Sequence, residues 1–193
     1  MLMMETDELG PVAAALDGEN HSGRMNLLYG LDRRALGRLY QLAATAPDLT
    51  LDFFVSNVEP LVPVAHDGWN SIPVPHPWRK FKKVMCRPAG DTTYLVGYNE
   101  YRSKGWLGPG YFHLMPTVAS EFPTDRGAYV VDYFRVPDGA VPASWPPVRL
   151  NTSGLSRFVY GGTRDYLRRV SEHVCVGRPY RGSGPDEALD FSF

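Results

Sequence analysis

Residues 92–136 constrain the fold more than any other part of the chain. Two runs with period-two alternation, 94–101 and 111–115, flank the turn Gly105-Trp106-Leu107-Gly108-Pro109-Gly110, and a third run, 128–136, follows a second turn. Tyrosine, phenylalanine and valine dominate these runs, and alternation of that kind sets one face of an extended chain against a core. Gly-Pro-Gly cannot continue a strand and marks a reversal. The segment predicts three consecutive antiparallel strands. Gly105, Gly108 and Gly110 should be exposed in the turn, with Trp106 packed at one end of the sheet.

Upstream, Asp32 follows Gly30 as a helix N-cap, and Leu36, Leu39, Tyr40 and Ala43 recur at i, i+3, i+4 and i+7. That stripe predicts one N-terminal helix over 32–46, packed through Leu36, Leu39 and Tyr40 against the sheet or across an open barrel end. Residues 1–24 form an acidic arm or short helix: the first 23 residues hold five acids and no lysine or arginine. Residues 49–55 either start the sheet or add a helical turn. Five prolines and Gly68 between 60 and 78 forbid long regular structure, so this stretch, which carries His66, Asp67, Trp69 and His76, is expected to be a flap or lid.

Residues 80–86 have a strand pattern. A second proline-rich flap spans 137–148, after which 156–160 reads as a strand, 165–170 as a strand or helical turn, and 173–178 as the closing strand. Residues 182–193 are a tail unless Phe191 and Phe193 dock it. Six to eight short strands after one helix predict a mainly β (α+β) fold: an antiparallel β-barrel or strongly curved sheet over 50–180 of a single domain, 1–193. A barrel of about eight strands encloses room for side chains or one small ligand.

Composition fits such a domain. The chain has 193 residues and 44% hydrophobic content, enough to bury one core without staples. Twenty basic side chains nearly cancel 21 acidic ones, which removes the electrostatic case for a nucleic-acid binder. A basic cluster over 79–104 reads as a solvated face, and within it residues 79–87 with Phe81 read second as a contact for an acidic head group or a partner. Cys86 and Cys175 lie among apolar neighbours and in no Cys-x-x-Cys pair, as buried structural thiols do. There is no signal-peptide pattern and no apolar run of ~20 residues, so the expected setting is soluble, reducing and cytoplasmic.

The Gly105-Trp106 turn between aromatic strands, together with the closing run from Asp165 to Gly177, resembles the calycin group of lipocalin-like and fatty-acid-binding-like barrels. The likeness covers residues 79–178 and implies a barrel architecture.

Glu100, His113 and Asp132 are the candidate acid–base residues, because each sits inside a strand pattern otherwise apolar and aromatic. Asp132 shares its face with Val130 and Phe134. A carboxylate there is paired with an arginine, set in a ligand pocket, or placed at an exposed edge, because burying it unpaired costs several kcal/mol. The pocket alternative points Asp132 inward, near tyrosine hydroxyls or His113. Tyr98, Tyr111, Tyr133, Trp69 and Trp106 are the candidate ligand-binding residues: aromatic bodies, several with a polar tip, that can wall and orient an apolar ligand. His66-Asp67 and His76 fit no metal spacing, no nucleophile elbow or phosphate loop is present, and neither metal nor cofactor is expected.

The expected function is binding of a hydrophobic or amphipathic small molecule in a barrel cavity. The alternative is a cofactor-free isomerase, cyclase or lyase using acid–base residues in that cavity, and a third reading is an interaction domain with a filled core. Expected partners are a hydrophobic small molecule but no nucleic acid and no membrane span, with a homodimer left open.

Overall fold

The computed structural model describes residues 6–90, 93–101, 108–119, 122–152, 156–182, 187–189 and 192–193. Eight strands pair antiparallel in chain order: β1 (Val64–Trp69), β2 (Lys80–Cys86), β3 (Leu95–Tyr101), β4 (Gly110–Pro116), β5 (Tyr129–Asp132), β6 (Thr163–Arg169), β7 (Cys175–Arg181) and β8 (Glu187–Ala188). The sheet curls into a half-barrel, the strongly curved antiparallel sheet that the alternation predicts. Its core stretch supplies β3, β4 and β5 in succession, as expected.

Register decides which side chains face inward. Lys83 lies opposite Asn99, Met85 opposite Gly97, Gly97 opposite Phe112, and Val131 opposite Asp165, so these residues share the inner face. Leu95, Phe112, Leu114, Tyr129, Val131, Tyr133 and Leu167 fill that face together with Leu49, Phe54 and Val55 from the segment before β1. Space for the rings comes from glycine. A Cβ on Gly97 would stand 2.6 Å from the Phe112 ring, and one on Gly177 would stand 2.2 Å from the Phe193 ring.

Among the described residues five α-helices accompany the sheet: α1 (Leu9–Asp17), α2 (His21–Tyr29), α3 (Arg33–Leu42), α4 (Leu51–Val55) and α5 (Ser156–Val159). Helix α3 is the one the periodicity predicts. The Asp32 side chain caps it by accepting from the Ala35 N–H at 2.8 Å, and Leu36, Leu39 and Tyr40 are buried. Where the sequence suggests an acidic arm or short helix, the chain makes α1 and α2. Leu9, Val12 and Leu16 recur at i, i+3 and i+7, a stripe too short to stand out yet sufficient once it packs on α3. Segment 51–55 resolves as helix. Segment 156–159 is helical rather than the strand expected, because Tyr160 turns inward over Gly110 and leaves no ladder partner for an extended chain.

The flap at 60–78 holds more structure than its prolines suggest. Between Pro63 and the turns that follow, six proline-free residues form β1 at the sheet's end, where a preceding proline costs no ladder bond. The third run of the core stretch is shorter than its pattern: β5 ends at Asp132, and Phe134 is exposed. Gly108 is exposed as expected, whereas Gly110 is buried under the Tyr160 ring. Gly105 and Trp106 lie outside the described residues.

Two devices span the gap between β1 and β7. On one side Trp69 of β1 and Val170, Val174 and Val176 beside and within β7 join α1 and α3 in a single apolar cluster, with Trp69 Nε1 donating to the Leu31 carbonyl at 3.0 Å. On the other side the carboxy-terminal residues act as a stitch. Phe193 exchanges two backbone hydrogen bonds with Gly177, at 2.7 and 3.0 Å, while the Ser71 N–H donates to the Ser192 carbonyl at 3.0 Å. Residues 192–193 are therefore docked through Phe193, one of the two residues that could hold a tail; Phe191 lies outside the described residues.

Leu39 stands at the centre of the cluster joining α3 to β7. Replacing it by alanine should cost about 2–5 kcal/mol, the range for a buried leucine that leaves a cavity. Urea titration checks this, and a loss under about 0.5 kcal/mol would make the helical layer peripheral to stability.

Candidate functional site

Strand alternation places Phe81, Lys83 and Met85 on one face of β2, and that face is the inner one. A lysine so placed cannot reach solvent, and Lys83 is only 7% exposed. It is satisfied by three residues from across the inner face. Its ammonium donates to Asn99 Oδ1 at 3.1 Å on β3, to the Tyr133 hydroxyl at 2.7 Å just past β5, and to Asp165 Oδ2 at 3.4 Å on β6. Those bonds use all three donors of the ammonium.

The Tyr133 hydroxyl is satisfied in the same way, donating to Asp165 Oδ2 at 2.9 Å and accepting from Asn99 Nδ2 at 2.8 Å as well as from Lys83. Four rings surround the Lys83 Nζ: Phe193 at 4.8 Å, Phe112 at 5.1 Å, Tyr133 at 5.3 Å and Phe81 at 5.7 Å to their centroids. Their negative faces attract a cation.

Burial drives both charged groups toward neutrality. It lowers the Lys83 amine, against the opposing pull of the Asp165 carboxylate, and it raises the Asp165 carboxyl, against Lys83 and the Tyr133 hydroxyl. Burial also raises the Tyr133 and Tyr160 phenols well above their usual range and Tyr101 to about 12. Lys83, Asn99, Tyr133 and Asp165 thus form one hydrogen-bonded cluster that joins amine, phenol and carboxyl away from water.

Two cavities border Lys83. One, of about 220 Å³, lies between the inner face and helices α2, α3 and α4, and its walls include Met25, Leu28, Leu36, Leu39, Phe53, Phe81 and Met85. Its rim carries His21, whose Nε2 lies 3.0 Å from Asp67 Oδ2, together with Arg24 and His173. The other, of about 60 Å³, is lined by Asn99, Tyr101, Tyr133, Tyr160 and Asp165. Phe81, Phe193 and Lys83 line both.

The residues singled out from sequence divide between the two faces. Tyr133 joins the inner cluster and Trp69 lines the larger cavity. Asp132, His113, Tyr98 and Tyr111 occupy the outer face, with Asp132 opposite His113 and Tyr98 opposite Tyr111. Asp132 is 1% exposed and pairs at 3.4 Å with both Arg164 and Arg135, so the arginine partner is the alternative found. His113 stacks on Tyr94 and its Nε2 lies 3.1 Å from the Val136 carbonyl; burial lowers its imidazole. Glu100 is half-buried opposite Lys82.

The flap at 137–148 covers this outer face and leaves the cavity mouth alone. Trp145 packs on Tyr98 at 5.1 Å, and the Tyr111 hydroxyl donates to the Pro146 carbonyl at 2.5 Å. Cys86 is buried, and Cys175 lines the larger cavity with its thiol raised by burial to about 11. Trp106 lies outside the described residues. Among the described residues no three His, Cys, Asp or Glu side chains are grouped to hold a metal ion, and no helix is long and apolar enough to cross a membrane.

Lys83, Asn99 and Asp165 were absent from the sequence candidates. The signal was present: Lys83 stands two residues from an apolar side chain on each side, Phe81 and Met85, and Asp165 stands two residues before Leu167. The surrounding basic run masked Lys83 as one more solvated charge.

Compared with protein-family models, curated proteins and solved structures, the chain matches none.

Lys83→Met should lower stability by about 3–5 kcal/mol, because it leaves the Asp165 carboxylate buried without its cation. Adding Asp165→Leu should restore most of the loss, since Asn99 and Tyr133 keep each other as partners. Chemical denaturation of the wild type, the single and the double variant checks this; equal losses in both variants would mean the pair itself is net stabilising.

Proposed function

We propose that this protein binds a small, predominantly apolar molecule with one polar end in the cavity beneath its helical layer. The observation that carries the proposal is the 220 Å³ space itself, walled by leucine, methionine and phenylalanine and ending at Lys83. Apolar walls with a few convergent polar groups are the ordinary form of a small-molecule site. The volume falls below the roughly 300–1,000 Å³ of drug-sized sites, which fits an occupant on the order of ten non-hydrogen atoms.

The deep end has a definite polarity. Lys83 and Asp165 cancel in charge, so a second buried charge there would lack a partner, whereas a neutral hydroxyl or carbonyl can exchange hydrogen bonds with the cluster. The ionisable groups at the rim, His21, Arg24 and His173, suit contact with water. The calycin-like likeness of the sequence belongs to the same proposal, and the next-neighbour meander of eight strands supports it.

Cofactor-free catalysis in this cavity is the second reading. It is favoured by Lys83, which borders the cavity and is hydrogen-bonded to Tyr133 and Asp165 behind it, groups able to relay its proton. Asp132, Glu100 and His113 do not border this cavity.

Octan-1-ol serves as a probe with an apolar body and a neutral head. Isothermal titration should show one saturable site per chain with Kd below about 1 mM. Leu28→Trp, at a partly buried position on the cavity wall, should weaken binding by about tenfold or more, ~1.4 kcal/mol. Absence of saturable binding by a folded wild-type protein would overturn the proposal.

A further inference from the structure

We propose that Lys83 forms an imine with an aldehyde or ketone bound in the 220 Å³ cavity. The inference rests on the binding proposal above and adds a covalent step to it. Among the described lysines, Lys80 and Lys82 are half-buried or exposed, and Lys83 alone lines the cavity. An amine held at the closed end of an apolar pocket meets the polar end of any ligand whose tail points to the rim.

Imine formation joins the lysine nitrogen to the carbonyl carbon and expels the carbonyl oxygen as water. The nitrogen must first surrender a proton and the oxygen must gain two. Asp165 Oδ2, 3.4 Å from Nζ, is placed to take the proton that frees the lone pair. The Tyr133 hydroxyl, 2.7 Å from Nζ and 2.9 Å from Asp165, is placed to pass a proton to the oxygen that leaves. Counted from the ammonium, the nitrogen gives up two protons, both depart in the water, and one positive charge remains on the protonated imine.

The surroundings suit that product. The protonated imine is a cation where the ammonium stood, so the ring of Phe81, Phe112, Tyr133 and Phe193 and the Asp165 carboxylate continue to serve it. It keeps one N–H, against three in the ammonium, and Asp165 remains within reach to accept it. The second cavity on the far side of the amine, about 60 Å³, exceeds the ~10–15 Å³ that one water requires, so the released water has a polar place to go. Cys175 also lines the larger cavity, but burial holds it as the thiol, the less reactive form.

Octanal with cyanoborohydride reduces any imine to a stable secondary amine, which tandem mass spectrometry locates by residue. At neutral pH Lys83 should be labelled at least about tenfold faster than Lys80 or Lys82, because it alone of the three faces the cavity that holds the aldehyde and burial lowers its amine. Excess octan-1-ol should protect Lys83 and leave the other two unaffected. Tyr133→Phe should slow labelling of Lys83 by a larger factor than it weakens octan-1-ol binding. Labelling of Lys83 no faster than its neighbours, with octan-1-ol binding intact, would overturn the imine and leave the binding proposal standing. Loss of octan-1-ol binding together with Lys83 labelling would overturn both.

Discussion

A buried ammonium and a buried carboxylate, Lys83 and Asp165, set the terms for the rest of this structure. Each is costly to remove from water, and their mutual attraction offsets that cost only when every remaining donor and acceptor is met. The fold meets them with one residue from each of several neighbouring elements: Asn99 from β3, Tyr133 after β5 and the ring of the carboxy-terminal Phe193. Strands far apart in sequence must therefore hold their register to keep one charge pair satisfied. A one-residue slip in β2 would send Lys83 to the outer face and leave Asp165 alone inside.

The cavity arises because the sheet does not close on itself. The first and seventh strands stay unpaired with each other, and the gap is spanned by helices on one side and by Ser192 and Phe193 on the other. Helical side chains cover the opening without filling it, which leaves space bounded by leucine and phenylalanine above and by the lysine below. Phe193 has two roles in this arrangement. Its backbone ties β7 to the chain beyond β1, and its ring lies over the ammonium and separates the two cavities.

Much of the sheet was legible in the sequence because alternation is a local property. The runs that became β2, β3, β4 and β7 carry their own period, and the Leu36-Leu39-Tyr40 stripe carries that of α3. Pairing across the sheet is not local, and neither is the choice of inner face. Val130 and Asp132 alternate with Val131 and Tyr133, and both sets are buried because helices and rings cover one face while Met115 and Tyr166 pack on Val130 and Arg135 and Arg164 meet Asp132 on the other. With two buried faces, apolar neighbours alone could not say on which side Asp132 would lie. Segment 64–69 became a strand only because β2 stood ready to pair with it, which no reading of its own six residues reveals.

The account turns on Lys83 being a desolvated amine at the end of a ligand cavity, and side-chain NMR of the lysine ammonium groups tests this most directly. Burial lowers the Lys83 amine, so in the free protein it should titrate below the ordinary lysine range, and its resonances should shift on saturation with octan-1-ol while those of Lys80 and Lys82 stay in place. A Lys83 that titrates in the ordinary lysine range and ignores the alcohol would contradict the account.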